Sequence, residues 1–277
     1  LDNARYAWER LGVAPQSEGS LAFARSLGEA VDGAQLIQES APENLDSKKA
    51  IFAQIESSAD QNALIASSTS GLLPSDLQEE MAHPERLVVG HPFNPVYLIP
   101  MVEVVGGERT SSDSISAAIS FYEAAGMSPL HVRVEIDAFI ADRLLEAVWR
   151  EALWLVKDGV ATTQEIDDVI RLGFGLRWAQ MGLFENYRIA GGEGGMEHFI
   201  KQFGPSLSWP WSKLTDTPEL TNELVARIAD QSDAQSGHYS IRELERLRDN
   251  NLVDILLALE GNEWGAGLAV RKLREKS

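Results

Sequence analysis

His91, in Gly90-His-Pro-Phe-Asn-Pro95, and Glu103, in Met101-Val-Glu-Val-Val105, are the residues whose types and spacing bear most directly on acid–base chemistry. An imidazole titrates near neutral pH. A carboxylate that fixes its tautomer and stabilises its protonated form makes it a competent base for an alcohol proton. The run Arg86-Leu-Val-Val-Gly90 reads as a buried strand and puts His91 at its C-terminal end. In open α/β sheets that edge is where ligands bind. On residue type alone, such a pair is more often a satisfied loop histidine and a surface acid.

The elements around this pair fall into two halves. Short apolar runs at Gln35–Glu39, Ala63–Ser67, Leu87–Gly90, Met101–Val105 and Leu130–Val134 alternate with helical stretches near 46–57 and 112–125. That alternation predicts a doubly wound α/β sheet. From Phe139 the apolar period becomes helical, with Leu144, Val148, Ala152 and Leu155 on one stripe. Thr162-Thr-Gln-Glu165 and Ser240-Ile-Arg-Glu243 read as capping boxes that open later helices. The expected domains are residues 1–136, α/β, and residues 137–277, all-helical, joined near Asp137-Ala138 without a long linker.

A chain of 277 residues with 44% apolar content can bury one or two substantial cores. Cysteine is absent, so disulfides, thiolate nucleophiles and cysteine metal sites are excluded, and no metal is expected. Neither an apolar run of about 18 residues nor a signal-peptide pattern is evident, which points to the cytoplasm. A net charge of -18 leaves no basic surplus for nucleic acid or an anionic membrane, and it suits a cationic substrate.

Successive motifs, Ser67-Ser-Thr-Ser-Gly71, Gly90-His-Pro-Phe-Asn-Pro95, Leu98-Ile-Pro-Met-Val-Glu-Val-Val-Gly-Gly107 and Phe139-Ile-Ala-Asp-Arg-Leu-Leu145, resemble the signatures of the 3-hydroxyacyl-CoA dehydrogenase family. The resemblance implies a Rossmann-type nucleotide-binding domain followed by a helical substrate and dimerisation domain, NAD as cofactor and a homodimer. It implies His91 as base, Glu103 as its partner and Ser70 as the group that hydrogen-bonds the substrate hydroxyl. Glu43, Lys48, Ser70 and Asn94 are implied at the nicotinamide end of NAD. Apart from the resemblance, Glu43 and Lys48 read as solvated loop charges and the Ser/Thr/Gly cluster as a turn.

The chain contains no G-x-G-x-x-G between a first strand and a first helix, and no acid that ends a second strand. By the resemblance, about 40 to 45 residues carrying those features are expected ahead of Leu1. Gly191-Gly-Glu-Gly-Gly195 lies in the helical half and reads as a turn or a close-packing site.

Members of the family carry a Pro-Gly-Phe-Ile segment whose following helix brings an asparagine to the substrate. Here the segment is Ile136-Asp-Ala-Phe-Ile-Ala-Asp142, with Asp142 at the asparagine's place. That change weakens the expectation of acyl-CoA chemistry, and an acid there suits either a cationic group or a pair with Arg143. The motifs Pro95-Val-Tyr-Leu98, Gly175-Leu-Arg-Trp178, Ala190-Gly-Gly-Glu-Gly-Gly195 and Gln202-Phe-Gly-Pro205 resemble members acting on a small trimethylammonium-bearing 3-hydroxy acid. Six of the seven tryptophans, Trp149, Trp154, Trp178, Trp209, Trp211 and Trp264, fall in the helical half. Aromatic faces hold quaternary ammonium groups. Trp178 and Tyr187 are the expected contacts, although an aromatic on a buried helix is more often core, and Arg177 fits the substrate carboxylate or a structural salt bridge equally. Other readings are a 3-hydroxyacyl-CoA or other 3-hydroxyacid dehydrogenase, and a non-catalytic protein like the family's lens crystallin relative.

Overall fold

A computed structural model describes residues 1–13, 19–191, 193, 195–212, 219, 221–224, 226–227, 230, 238, 240–261 and 266–276. Gly192, Gly194 and Trp264 lie outside the described residues. The chain divides into two compact units, Leu1–Arg143 with Ala269–Ser277, and Leu144–Leu268.

In the first unit, α1 (Asp2–Leu11) and α2 (Leu27–Val31) precede a sheet of β1 (Leu36–Glu39), β2 (Leu64–Ser67), β3 (Leu87–Pro92), β4 (Met101–Gly106) and β5 (Ser128–Val132). The strands lie side by side in sequence order. Helix α3 (Leu45–Ser58) joins β1 to β2, the short α4 (Pro74–Leu77) lies between β2 and β3, and α5 (Ser112–Ala124) joins β4 to β5. Side chains of Asn44 and Ser111 accept from the Ser47 and Ser114 amides and open α3 and α5.

The sheet is mixed: β1, β2 and β3 are parallel, β3 and β4 are antiparallel, and β4 and β5 are parallel. It thus departs from an all-parallel doubly wound pattern at one pair. Residues 93–100, between β3 and β4, are too few for a crossover helix, so the chain has to reverse. Strand β5 begins two residues earlier than the apolar run suggests. Ser128 and Pro129 pair with Met101 and Val102, and an edge strand tolerates a proline.

Alternate residues of the central strands point to opposite faces. Ile65, Val89 and Val105 face one way and join Phe52 and Ile55 of α3, Leu77 and Phe139 in one core. Leu64, Ala66, Val88 and Val104 face the other way and meet Ala118 and Tyr122 of α5. Both faces of the sheet are therefore covered, and the C-terminal strand ends are left to carry polar groups.

Helix α6 (Ala141–Lys157) spans the division between the units. The second unit continues with α7 (Thr163–Val169), a π-helical turn over Ile170–Phe174, α8 (Gly175–Ala190), α9 (Gly195–Phe203) and α10 (Ile241–Gly261), ahead of α11 (Gly267–Lys276). Both capping boxes form, Thr162 with Glu165 and Ser240 with Glu243. Gly182, with φ of 70°, interrupts α8. Helix α6 buries Leu153 and Val156, which lie outside the predicted stripe; of the stripe itself, Leu144 and Val148 are exposed and Ala152 and Leu155 are half-buried. Among the described residues no helix is long and apolar enough to cross a membrane.

Candidate active site

Antiparallel register places His91 opposite Glu103. Directly opposed residues share a sheet face with their Cβ atoms about 5 Å apart, close enough for the side chains to meet. His91 Nδ1 and Glu103 Oε2 are 3.0 Å apart, and both side chains are buried. The other carboxylate oxygen, Oε1, accepts the amides of Ile140 at 3.0 Å and Ala141 at 3.1 Å, at the opening of α6. Burial opposes ionisation of Glu103. The bond to His91, the two amides and the His91 charge outweigh it and hold the carboxyl below the usual carboxylate range. An ionised carboxylate only accepts, so in the neutral imidazole Nδ1 carries the hydrogen and Nε2 keeps its lone pair.

The surroundings fix the ring. Phe93 lies 4.8 Å and Phe139 5.8 Å from the imidazole, centroid to centroid. Ala138 and Phe139 both adopt left-handed backbone, φ 59° and 49°. This double turn accompanies the burial of Phe139 in the core and the approach of the Ile140 amide to Glu103. Ala138 stands where the family motif has glycine, the residue that takes this conformation without strain.

A second polar group is centred on the ends of β1 and β2. Glu43 accepts the Thr69 hydroxyl and the amides of Ser70 (3.1 Å) and Gly71 (3.0 Å), so it organises the loop that carries Ser70. Burial opposes its ionisation too. The Thr69 and Gly71 bonds, the Lys48 charge and the Ser70 bond outweigh burial and lower its pKa. Lys48 stands behind Glu43, with Nζ 3.8 Å from its carboxylate. The ammonium is enclosed by Glu39, at 2.9 and 3.0 Å to its two oxygens, and by the Ala41 carbonyl at 3.0 Å. Glu39, also bonded by the Ser67 hydroxyl at 2.6 Å, was not singled out from the sequence. Its position at a strand end, nine residues before Lys48, was the available signal. Ser70 and Asn94 are exposed, Asn94 just beyond β3.

Asp142 lies in the first turn of α6, next to the amides that Glu103 accepts; Arg143 donates to the Asp137 carbonyl at 3.4 Å. In the second unit Arg177 is exposed and its carbonyl accepts the Asn186 amide at 3.2 Å. Trp178 packs on Phe174, centroids 4.5 Å apart. Tyr187 stacks on Phe199 at 4.5 Å and lines a cavity of about 650 Å³ with Leu183, Phe184, Phe203 and Trp211. Tyr187 and Trp211 therefore share an aromatic cavity, whereas Trp178 has a different neighbour.

Comparison with known proteins is consistent across the chain. Family models for the 3-hydroxyacyl-CoA dehydrogenase NAD binding domain and C-terminal domain match residues 14–136 and 139–230. L-carnitine dehydrogenase/betainyl-CoA thioesterase of Agrobacterium fabrum is 60% identical over 277 residues, which are 100% of this chain and 56% of that protein. The chain thus spans little more than half the length of that relative. L-carnitine dehydrogenase of Pseudomonas putida is 54% identical over 268 residues, 96% of this chain and 83% of its own. The crystal structure of FHMPC 5-dehydrogenase, an NAD+ dependent dismutase, superposes with a TM-score of 0.82 at 30% identity, covering 94% of this chain and 85% of that one. With both family models matched in order over most of the chain, and the Pseudomonas putida relative covered over 83% of its length, the chain belongs to the 3-hydroxyacyl-CoA dehydrogenase family.

Proposed function

We propose that this protein oxidises the 3-hydroxyl of L-carnitine to 3-dehydrocarnitine with NAD. The observation that carries the substrate is the 54% identity to an L-carnitine dehydrogenase of which the chain covers 83%. The dyad supports the chemistry, because ionised Glu103 leaves Nε2 of His91 as a proton acceptor on a ring packed between Phe93 and Phe139.

The exposed Ser70 and Asn94, with Gly71, around which a Cβ would meet open space, offer neutral hydrogen-bonding groups at one sheet edge. That donor set fits the nicotinamide end of NAD. Glu43 shapes this edge through the Ser70 loop, and Lys48 acts from behind it by sustaining Glu43. Bound NAD supplies the hydride acceptor. The residues of this chain manage the proton. Ser70 holds the substrate oxygen, His91 Nε2 takes the hydroxyl hydrogen, and Glu103 balances the imidazolium through Nδ1. Asp142, Arg177, Trp178 and Tyr187 serve as the substrate contacts: Asp142 and the aromatics for the trimethylammonium, Arg177 for the carboxylate.

We assign the protein to the cytoplasm and expect a homodimer. Exposed apolar residues in the second unit, among them Leu144, Leu172, Leu176 and Phe184, support association through that unit. Sedimentation of the full-length protein at dimer mass checks this.

The deciding experiment compares NAD-linked turnover of L-carnitine, 3-hydroxybutyrate and 3-hydroxybutyryl-CoA by the full-length protein. A cation held by aromatic and acidic groups contributes about 2 to 4 kcal/mol, so carnitine should lead 3-hydroxybutyrate by roughly 30-fold to 1000-fold in kcat/KM. Equal efficiency, or a preference for the acyl-CoA, would overturn the carnitine assignment and favour the acyl-CoA reading that the family models also suggest.

A further inference from the structure

Gln38 takes no part in the proton transfer, yet its amide is used at both ends. Oε1 accepts the Tyr122 hydroxyl at 2.6 Å. Nε2 donates to the Ser68 hydroxyl at 2.8 Å and to the Gly90 carbonyl at 3.1 Å. The orientation is forced. A carbonyl only accepts, so the nitrogen faces Gly90 and the oxygen faces Tyr122, which has to donate. Burial pushes the Tyr122 phenol up to about 12, against the opposing bond to Gln38, so it keeps its hydrogen.

Both ends of this brace lie close in the chain to groups assigned to the reaction. Gly90 directly precedes His91, and Ser68 lies two residues before Ser70. Gln38 lies on β1 and its register neighbour on β2 is Ala66, whose methyl is short enough for the amide to reach past it to β3. Gly90 completes the arrangement, since a Cβ there would overlap the Tyr122 oxygen.

We propose that Gln38 is a positioning residue that fixes the spacing between His91 and Ser70, the two groups assigned to the substrate hydroxyl. The inference rests on that assignment and adds to it a brace reaching from β1 past β2 to β3, anchored by Tyr122 on α5.

The test is kinetic, in the full-length protein with L-carnitine. Gln38 is exposed, so Gln38→Met should keep the fold. Displacing reacting groups by a fraction of an ångström costs roughly tenfold to a hundredfold in rate, so kcat should fall by that factor with the KM for NAD within about twofold. In a Ser70→Ala background the same change should cost less than about threefold, because residues acting as a unit are not additive. An unchanged kcat, or the same factor lost in the Ser70→Ala background, overturns the inference. A silent Ser70→Ala overturns the assignment of Ser70 and this inference together, whereas a silent Gln38→Met beside an impaired Ser70→Ala overturns this inference alone. If Gln38→Met lowers the melting temperature, Tyr122→Phe decides. It keeps the ring and removes only the donor, and a loss confined to kcat supports the brace while a normal kcat overturns it.

Discussion

His91 and Glu103 are direct opposites in the antiparallel ladder, and the carboxylate divides its oxygens between the imidazole and the amides that open α6. A slip of one residue in this register would send the two side chains to opposite faces of the sheet. The dyad is therefore as rigid as the β3–β4 pairing itself.

Replacing His91 with alanine in the full-length protein should lower kcat by two to four orders of magnitude, roughly the contribution of a positioned general base. NAD affinity should stay within a few-fold. Steady-state kinetics with calorimetric NAD titration checks both, and near-normal turnover would remove His91 from the mechanism.

Glu103→Gln should reduce both rate and stability, because an amide nitrogen has to face either the Nδ1 hydrogen or the α6 amides, donor against donor. The stability cost should be about 1 to 3 kcal/mol. Folded Glu103 ionises below 4.5, the ordinary glutamate value. Its contribution is therefore full above that value and is lost as pH falls from 4.5 through the lower folded value. Urea melts across this acid range should show a shallower decline for Glu103→Gln than for the wild type.

Lys48→Met should destabilise by roughly 3 to 5 kcal/mol, since it strands the buried Glu39 carboxylate. Adding Glu39→Gln should recover part of the loss. Thermal melts of the single and double variants decide, and an additive double variant would show that the pair is not coupled.

Ala138→Gly should stabilise. The left-handed backbone costs a non-glycine residue about 1 to 2 kcal/mol, and the added chain entropy returns part of that. A net gain of up to about 1 kcal/mol would raise Tm by roughly 2 to 4 °C. Phe139→Gly should do the opposite at nearly the same φ, because it empties the core of a fully buried ring. Calorimetry of the two variants separates backbone strain from packing.

Much of this was legible in the sequence because it depends on local pattern. The apolar runs of β1 to β4 and the capping boxes at Thr162 and Ser240 follow from side-chain period and hydroxyl placement. The His91–Glu103 spacing was visible, but not the register that turns spacing into contact. Glu39, Gln38 and Tyr122 were missed because their roles come from neighbours across the sheet, Tyr122 lying 84 positions beyond Gln38. Antiparallel pairing of β4 followed from a connection length that the strand pattern alone did not weigh.

Gly90 and Tyr122 also limit how such a chain can drift over generations. The phenol occupies the space of a side chain at position 90. Phenylalanine would not free that space, because the ring carbon bearing the hydroxyl still lies 2.7 Å from a Cβ there. Position 122 has to become smaller before position 90 can gain a side chain, so the two substitutions have a historical order, and a lineage that takes them in reverse passes through a misfit beside His91.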